Sequence, residues 1–207
     1  MVVNCPGCTA PLRFEHVGSW ARACKACEAL VLRDGTRYPA GADQMTLVED
    51  LSPVRVGDVG KMNGAYFRVT GRVRAEGQRG YRNFWSLKGD IAFTWLLQAF
   101  GNYALVNVSD PVVPVNVFRN VAPGRPLKLS GDLELEVLDN RFRFAWEGEL
   151  MHPLPLPWTI EMEAGDPDGG RAFILVDSTG AAQMLKGIGP EFVELGLEDP
   201  APLARWT

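Results

Sequence analysis

Histidine is scarce in this 207-residue chain, with His16 and His152 the only two. That removes most arrangements built on an imidazole base or a histidine-rich metal site. The nucleophile elbow G-x-S-x-G, the phosphate-binding G-x-x-x-x-G-K-S/T and the zinc-protease H-E-x-x-H are all missing. "GDPDGG" has acidic residues next to glycine but lacks the remaining ligands of a calcium loop, and reads as a turn. Long apolar runs are also missing. The longest, "IAFTWLLQAFG" from Ile91, falls well short of the ~20 residues that span a bilayer. The opening "MVVNCPGC" has no basic stretch followed by an apolar one, so no secretory leader is expected. Together these absences point to a cytoplasmic protein without a recognisable catalytic set.

Cysteine is absent after residue 27, and all four copies fall in "CPGCTAPLRFEHVGSWARACKAC". Cys5, Cys8, Cys24 and Cys27 read C-x2-C-x15-C-x2-C, the spacing of a four-cysteine zinc ribbon. Two intervening residues let a tight turn aim both sulfurs of a pair at one ion ~2.3 Å away. Pro6-Gly7 and Pro11 supply turn chemistry around the first pair, and the short apolar runs "LRF" and "LVL" follow the two pairs as ribbon strands should. In a reducing compartment such cysteines act as ligands in preference to disulfides. Zn²⁺ in a structural role is the expected ion, and iron in a rubredoxin-like site accepts the same four sulfurs. Four thiolates fill the shell and leave no position for a reacting water. A segment of this size buries too little apolar surface to fold unaided, so metal ligation supplies stability that packing does not.

Past the ribbon, assigned to residues 1–36, a turn-rich stretch at 37–52 reads as a linker. Beyond it the hydrophobic pattern has the period of strands. "AYFRVTGRVRAE" alternates Phe67, Val69, Gly71, Val73 with Tyr66, Arg68, Thr70, Arg72, Arg74. "FTWLL" and "YALVNV" flank a hairpin connection at "QAFGN". In "LELEVLDNRFRFAWEGE", a two-residue turn at Asp139-Asn140 would pair Val137 with Phe142, Leu135 with Phe144 and Glu136 with Arg143. "WTIEMEA" and "RAFILVD" continue the series, and "AAQMLKG" is the one segment that reads as a short helix. The expected fold is mainly β: the ribbon, then one or two small barrel- or sandwich-like units at 53–110 and 125–200, joined by a connection at 111–124.

Charge is unevenly spread. Residues 1–130 carry 16 Lys/Arg against 10 Asp/Glu, whereas residues 131–207 carry 5 against 15. Either the two parts face each other or they face different partners. Within 66–88 there are six basic residues and one acidic one, interleaved with aromatics. Tyr66, Arg68, Arg72, Arg74, Arg82 and Trp85 are the candidate binding surface. On a small barrel such a set would stack single-stranded bases and contact phosphates, or meet an acidic protein or anionic headgroups.

Several segments resemble a bacterial family called domain of unknown function 4178. They are the "CPGC…CKAC" ribbon, "SPVRVGDVGKMNGAYFRVTGRV", "NFWSLKGDIAFTWLLQAFGNYALV", "WEGEL" and "GGRAFILVDSTGAAQMLKGIGPEFVELGL". Where that family often has an acidic residue before its aromatic, this chain has "RNFW". Members are often encoded near membrane-remodelling coat proteins of the phage-shock type and near polyamine-synthase-like enzymes. The resemblance therefore implies an accessory role in envelope stress or membrane maintenance. The resulting expectation is a non-catalytic adaptor with a protein partner at or near the membrane, the alternative being a nucleic-acid-binding module.

Overall fold

Strands form wherever the sequence alternates apolar and polar residues, and their pairing follows from which apolar faces must be covered. The computed structural model describes residues 1–38, 44–48, 51–109, 123–124, 126–128, 134–165 and 170–200. In chain order the strands are β1 (Val2–Asn4), β2 (Pro11–Arg13), β3 (Ala21–Ala23), β4 (Leu30–Leu32) and β5 (Val59–Met62). Then come β6 (Ala65–Gly77), β7 (Gly80–Gly89), β8 (Trp95–Ala99), β9 (Asn102–Ser109) and β10 (Pro126–Lys128). The series ends with β11 (Glu134–Asn140), β12 (Arg143–Leu150), β13 (Trp158–Gly165), β14 (Arg171–Asp177) and β15 (Ala182–Ile188). The fold is mainly β, as the periodicity predicts. Among the described residues no helix is long and apolar enough to cross a membrane.

β1 and β2 form a two-stranded sheet, and the other strands form one antiparallel system. Its order is β10-β11-β13-β14-β15-β9-β8-β7-β6-β12-β3-β4, with β5 added on β6. The segments 53–110 and 125–200, expected as one or two β units, belong to one sheet, because β9 pairs with β15 and β6 pairs with β12. The eight strands from β13 through β15 and β9 to β12 all send side chains to one core, including Trp158, Phe173, Leu185, Trp95, Phe84 and Phe144. The Arg141 N–H donates to the Thr159 carbonyl at 3.2 Å, which brings the start of β12 beside the start of β13. The sheet therefore curls back on itself as a barrel does. A second cluster (Phe67, Val69, Trp85, Leu87, Leu105) lies on the opposite face, closed by the 3-10 turn Phe192–Leu195.

Two local readings are corrected. β11 and β12 do not form the hairpin expected at Asp139-Asn140. Asp139 instead accepts the Gln78 and Arg79 N–H groups at 3.1 and 2.9 Å, which fastens the end of β11 to the β6–β7 turn. Arg141 takes a left-handed φ of 63°, and β12 departs to pair with β6. Arg143 then meets Glu76 at 2.7 Å, in place of Glu136. Residues 181–187, expected as a short helix, fall almost wholly within β15 (Ala182–Ile188), held between β14 and β9. Sheet pairing on both edges outweighs the weak local helical preference. The connection at 111–124 lies, apart from 123–124, outside the described residues, as does the turn at 166–169.

β6 and β12 cross at very short range. A Cβ on Gly71 would lie 2.4 Å from the Glu149 carbonyl oxygen, and one on Gly148 would lie 2.3 Å from that of Thr70. At the crossing β6 bulges: Val69 pairs with Leu87 but Gly71 pairs with Ser86, leaving Thr70 as the extra residue. Its hydroxyl donates to the Glu149 and Ser86 carbonyls at 2.9 and 3.2 Å. Replacing Gly71 by alanine forces the two backbones apart. Urea denaturation of Gly71→Ala is expected to show a loss of roughly 3 kcal/mol, with Ala75→Gly, away from the crossing, as the comparison.

Candidate metal centre

The two C-x-x-C turns have the same local geometry. In the first, Thr9 N–H donates to Cys5 O and Cys5 N–H to Ala10 O, both at 2.8 Å. In the second, Glu28 N–H donates to Cys24 O and Cys24 N–H to Ala29 O, again both at 2.8 Å. The residue after each second cysteine is left-handed, with φ of 61° at Thr9 and 60° at Glu28. Each turn thus directs two sulfurs to the same side. Gly7 is small for a reason: a Cβ there would stand 3.2 Å from Cys27 Sγ and 3.7 Å from Cys5 Sγ.

The four sulfurs lie within 4.8 Å of one another, and no disulfide joins them. Cys5 and Cys27 are 3.6 Å apart at sulfur, as are Cys8 and Cys24. A regular tetrahedron with ~2.3 Å metal–sulfur bonds has edges of about 3.8 Å. The cage therefore fits a tetrahedral thiolate-bound ion. Its electrostatics agree. Burial alone would raise the Cys5 thiol, yet the Gly7 and Cys8 N–H groups and the neighbouring thiols outweigh it and bring it to about 7. At Cys27 the Ala29 N–H favours the thiolate, but burial and the surrounding sulfurs override it and push the group up to about 12. Four thiolates this close need a cation to coexist.

The ribbon is built into the main sheet. Its second hairpin, β3–β4, continues the main sheet through Arg22↔Glu149 and Ala21↔Leu150. Glu28, just past the second turn, accepts at its carbonyl the Trp146 Nε1–H at 2.6 Å and the Gln44 amide at 2.8 Å. Within the expected linker, Gln44 bridges Phe144, and Tyr38 packs on the core with its hydroxyl donating to the Leu156 carbonyl. Residues 39–43 and 49–50 of it lie outside the described residues.

Glu149 is the junction. Its buried carboxylate accepts the Glu15 N–H at 2.6 Å, the His16 N–H at 3.0 Å and the Ser19 hydroxyl at 2.6 Å, and it pairs with Arg22. Nothing in the sequence pattern marks it, since "WEGEL" reads as an ordinary strand. His16 lies outside the sulfur cage, its Nδ1 3.2 Å from Lys88 Nζ. His152 stays in the exposed loop after β12.

The candidate binding surface at Tyr66, Arg68, Arg72, Arg74, Arg82 and Trp85 is not one exposed face. The Thr70 bulge breaks the alternation, so Arg72 and Arg74 share a face with Phe67, Val69 and Trp85, while Tyr66 and Arg68 lie on the other. Arg72, Arg74 and Trp85 are 6%, 5% and 1% exposed. Arg74 donates to the Val48 carbonyl at 2.9 Å and to Asn83 at 3.1 Å, so the segment after the ribbon lies over it. Arg72 stacks over Trp85 at 4.7 Å and pairs with Glu147 at 2.6 Å. Arg82, 5% exposed, points into the curl of the sheet toward Glu161, 3.0 Å away. Only Tyr66 and Arg68 remain at the surface.

Two outcomes are expected. Burial alone would raise the Glu149 carboxyl, but the N–H, hydroxyl and guanidinium donors around it hold it below the ordinary carboxylate range. The stability it contributes is complete above that ordinary range, near pH 4.5, and is lost as pH falls through the lowered folded value. Thermal melts between pH 3 and 7 should show a steeper acid loss for the native chain than for Glu149→Gln, which is also destabilised by roughly 3 kcal/mol at pH 7. Elemental analysis of purified protein should find one metal ion per chain, with Cys8→Ser lowering retention after dialysis against a chelator.

Comparison of the chain with protein-family models, with curated proteins and with solved structures returned no match.

Proposed function

We propose that this protein is a non-catalytic adaptor: a zinc-stabilised ribbon and a curled sheet that together present an apolar groove to a protein partner. The observation that carries this reading is Phe100. It occupies the first position of the two-residue β8–β9 turn, with Gly101 second, and both have positive φ, 51° and 82°. Asparagine, aspartate or glycine is the ordinary occupant of such a position, because a bulky side chain is strained there. Phe100 is also 69% exposed and does not fill the core, its ring lying over the Arg82 guanidinium 6.0 Å from the centroid. Strain and exposure combined in one aromatic residue favour a role outside the fold.

Phe100 stands at the edge of a groove of about 560 Å³ lined also by Leu51, Pro53, Tyr81, Tyr103 and Phe192. Leu51 and Tyr81 are half-exposed there. A mostly apolar lining suits hydrophobic side chains of a protein better than a phosphate backbone. The nucleic-acid alternative drew on the basic strand, and burial of Arg72, Arg74 and Arg82 takes away most of its surface. Zinc is the assigned ion because four cysteines in two identical turns suit a structural tetrahedral site. The resemblance to domain of unknown function 4178 supports a bacterial, cytoplasmic setting and a partner associated with the membrane.

Photo-crosslinking from position 81, where the exposed Tyr81 lines the same groove, in the native cell, read by mass spectrometry with and without nuclease, tests the reading. A defined protein adduct insensitive to nuclease is the expected result. Phe100→Asn should lose partner capture yet raise stability by about 0.5–1 kcal/mol, because the turn then carries its preferred residue. Adducts that vanish with nuclease, or undiminished capture by Phe100→Asn, would contradict it.

A further inference from the structure

The groove beside Phe100 has no charged side chain in its lining, so charge selectivity falls to its rim. At the end formed by the β6–β7 turn the exposed cations are each matched by an acid: Arg79 by Glu136 at 3.7 Å and Arg143 by Glu76 at 2.7 Å. Arg55, beyond Pro53, stands near the Asp58 carboxylate, which accepts its N–H at 2.7 Å. The opposite end is the 3-10 turn Phe192–Leu195, whose Phe192 ring packs on Tyr103 with centroids 5.3 Å apart. There the chain reads "EFVELGLED" from Glu191, four acids and no base.

Glu191 and Glu194 flank Phe192, and both are exposed. Glu194 Oε2 accepts the Glu191 N–H at 2.8 Å, which fixes the turn and leaves both negative charges in place. Among the described residues neither carboxylate has an ion-pair partner. Lys61, on the strand that pairs with this segment, lies instead over the Tyr66 ring at 4.7 Å. Between the two glutamates Val193 is 82% exposed, so apolar surface continues past Phe192. The rim is thus acidic at one end and balanced at the other.

The backbone around the groove decides the form of its occupant. β7 and β8, which border it, each have a strand on both sides, so they offer no open edge for an added strand. A segment lying there must satisfy its own backbone hydrogen bonds, and a helix does so. The described residues contain no α-helix, so a second copy of them supplies none.

We propose that the groove takes an amphipathic helix with a basic flank from a partner protein. Its apolar side chains lie against Leu51, Tyr81, Phe100 and Phe192, and its lysines or arginines meet Glu191 and Glu194. The inference rests on the adaptor reading and adds the chemistry of the partner. Opposite charge at the rim steers the encounter and rejects an acidic helix, while the apolar contact supplies most of the affinity.

Fluorescence anisotropy on the full, metal-loaded chain, with a labelled peptide of two LKKLLKL repeats, tests the proposal. Analogues with glutamine or glutamate in place of every lysine keep the apolar face and change only the charge. The lysine peptide should bind at least ~10-fold more tightly than the glutamate one, with the glutamine peptide between, and the spread should narrow as salt is raised. The double variant Glu191→Gln, Glu194→Gln, in which glutamine at 194 still accepts the Glu191 N–H, should bring the lysine and glutamate peptides within ~3-fold of each other. Phe100→Asn should weaken all three. Equal binding of the three peptides, with loss in Phe100→Asn, would overturn the charge inference and leave the groove reading standing. Lysine-peptide binding unaffected by Phe100→Asn or by the double variant would overturn it too, since the peptide would then sit elsewhere on this acidic chain. Failure of the lysine peptide to bind at all would also overturn the inference, and crosslinking from position 81 would still decide the adaptor reading on its own. The peptide comparison and the salt series use the unaltered chain, so they hold even if a variant does not fold.

Discussion

The close crossing of β6 over β12 at Gly71 and Gly148 is the constraint from which the rest of the structure follows. Two backbones approach there with no room for a Cβ on either. The contact forces Thr70 out as a bulge, and the bulge turns β6 over between its halves. Arg72 and Arg74 then face the same way as Phe67, and the segment carrying Val48 lies over them. On β12 the same crossing presents Glu149 to the ribbon, where it gathers donors from Glu15, His16, Ser19 and Arg22. A local steric fact thus decides both where the basic strand ends up and how the metal-binding end is fastened.

The two halves of the ribbon stand in different situations as a result. β3 and β4 extend the main sheet and contribute Ala21, Ala23 and Leu30 to its core. Among the described residues β1 and β2 pair only with each other, and they pack beside the sulfur cage. Metal ligation has most to supply where packing supplies least, at this first hairpin. The charge asymmetry of the sequence has a matching explanation. Arg22–Glu149, Arg72–Glu147, Arg82–Glu161 and Arg143–Glu76 all join the basic front part of the chain to its acidic rear part within one sheet, Glu76 being the one exception that reverses the signs.

What could be read from sequence was what local geometry decides. The C-x-x-C turns announce a sulfur cage because two intervening residues leave few other ways to fold. The strands at "AYFRVTGRV", "FTWLL" and "RAFILVD" announce themselves because a half-buried strand requires alternation or a short apolar run. Pairing was not legible, since it depends on partners remote in the chain. Asp139-Asn140 looks like a turn until the N–H groups of Gln78 and Arg79 claim the Asp139 carboxylate. Ala182–Ile188 has some helical preference until β9 and β14 take both its edges. The bulge at Thr70 was hidden because its cause, the missing side chain of Gly148, lies 78 residues away. One slipped residue was enough to turn an apparent binding face into the interior. Phe100 was legible only as "QAFGN", a turn; its positive φ and exposure depend on how β8 and β9 close that turn.

The central claim is that one ribbon hairpin depends on the metal while the other belongs to the sheet. Hydrogen-exchange mass spectrometry of the metal-loaded and chelator-treated protein tests it most directly. The account predicts that chelation speeds exchange across Val2–Arg13 while Ala21–Ala23 and Arg143–Leu150 keep their protection. Loss of protection across the whole sheet, or an unchanged Val2–Arg13, would contradict it.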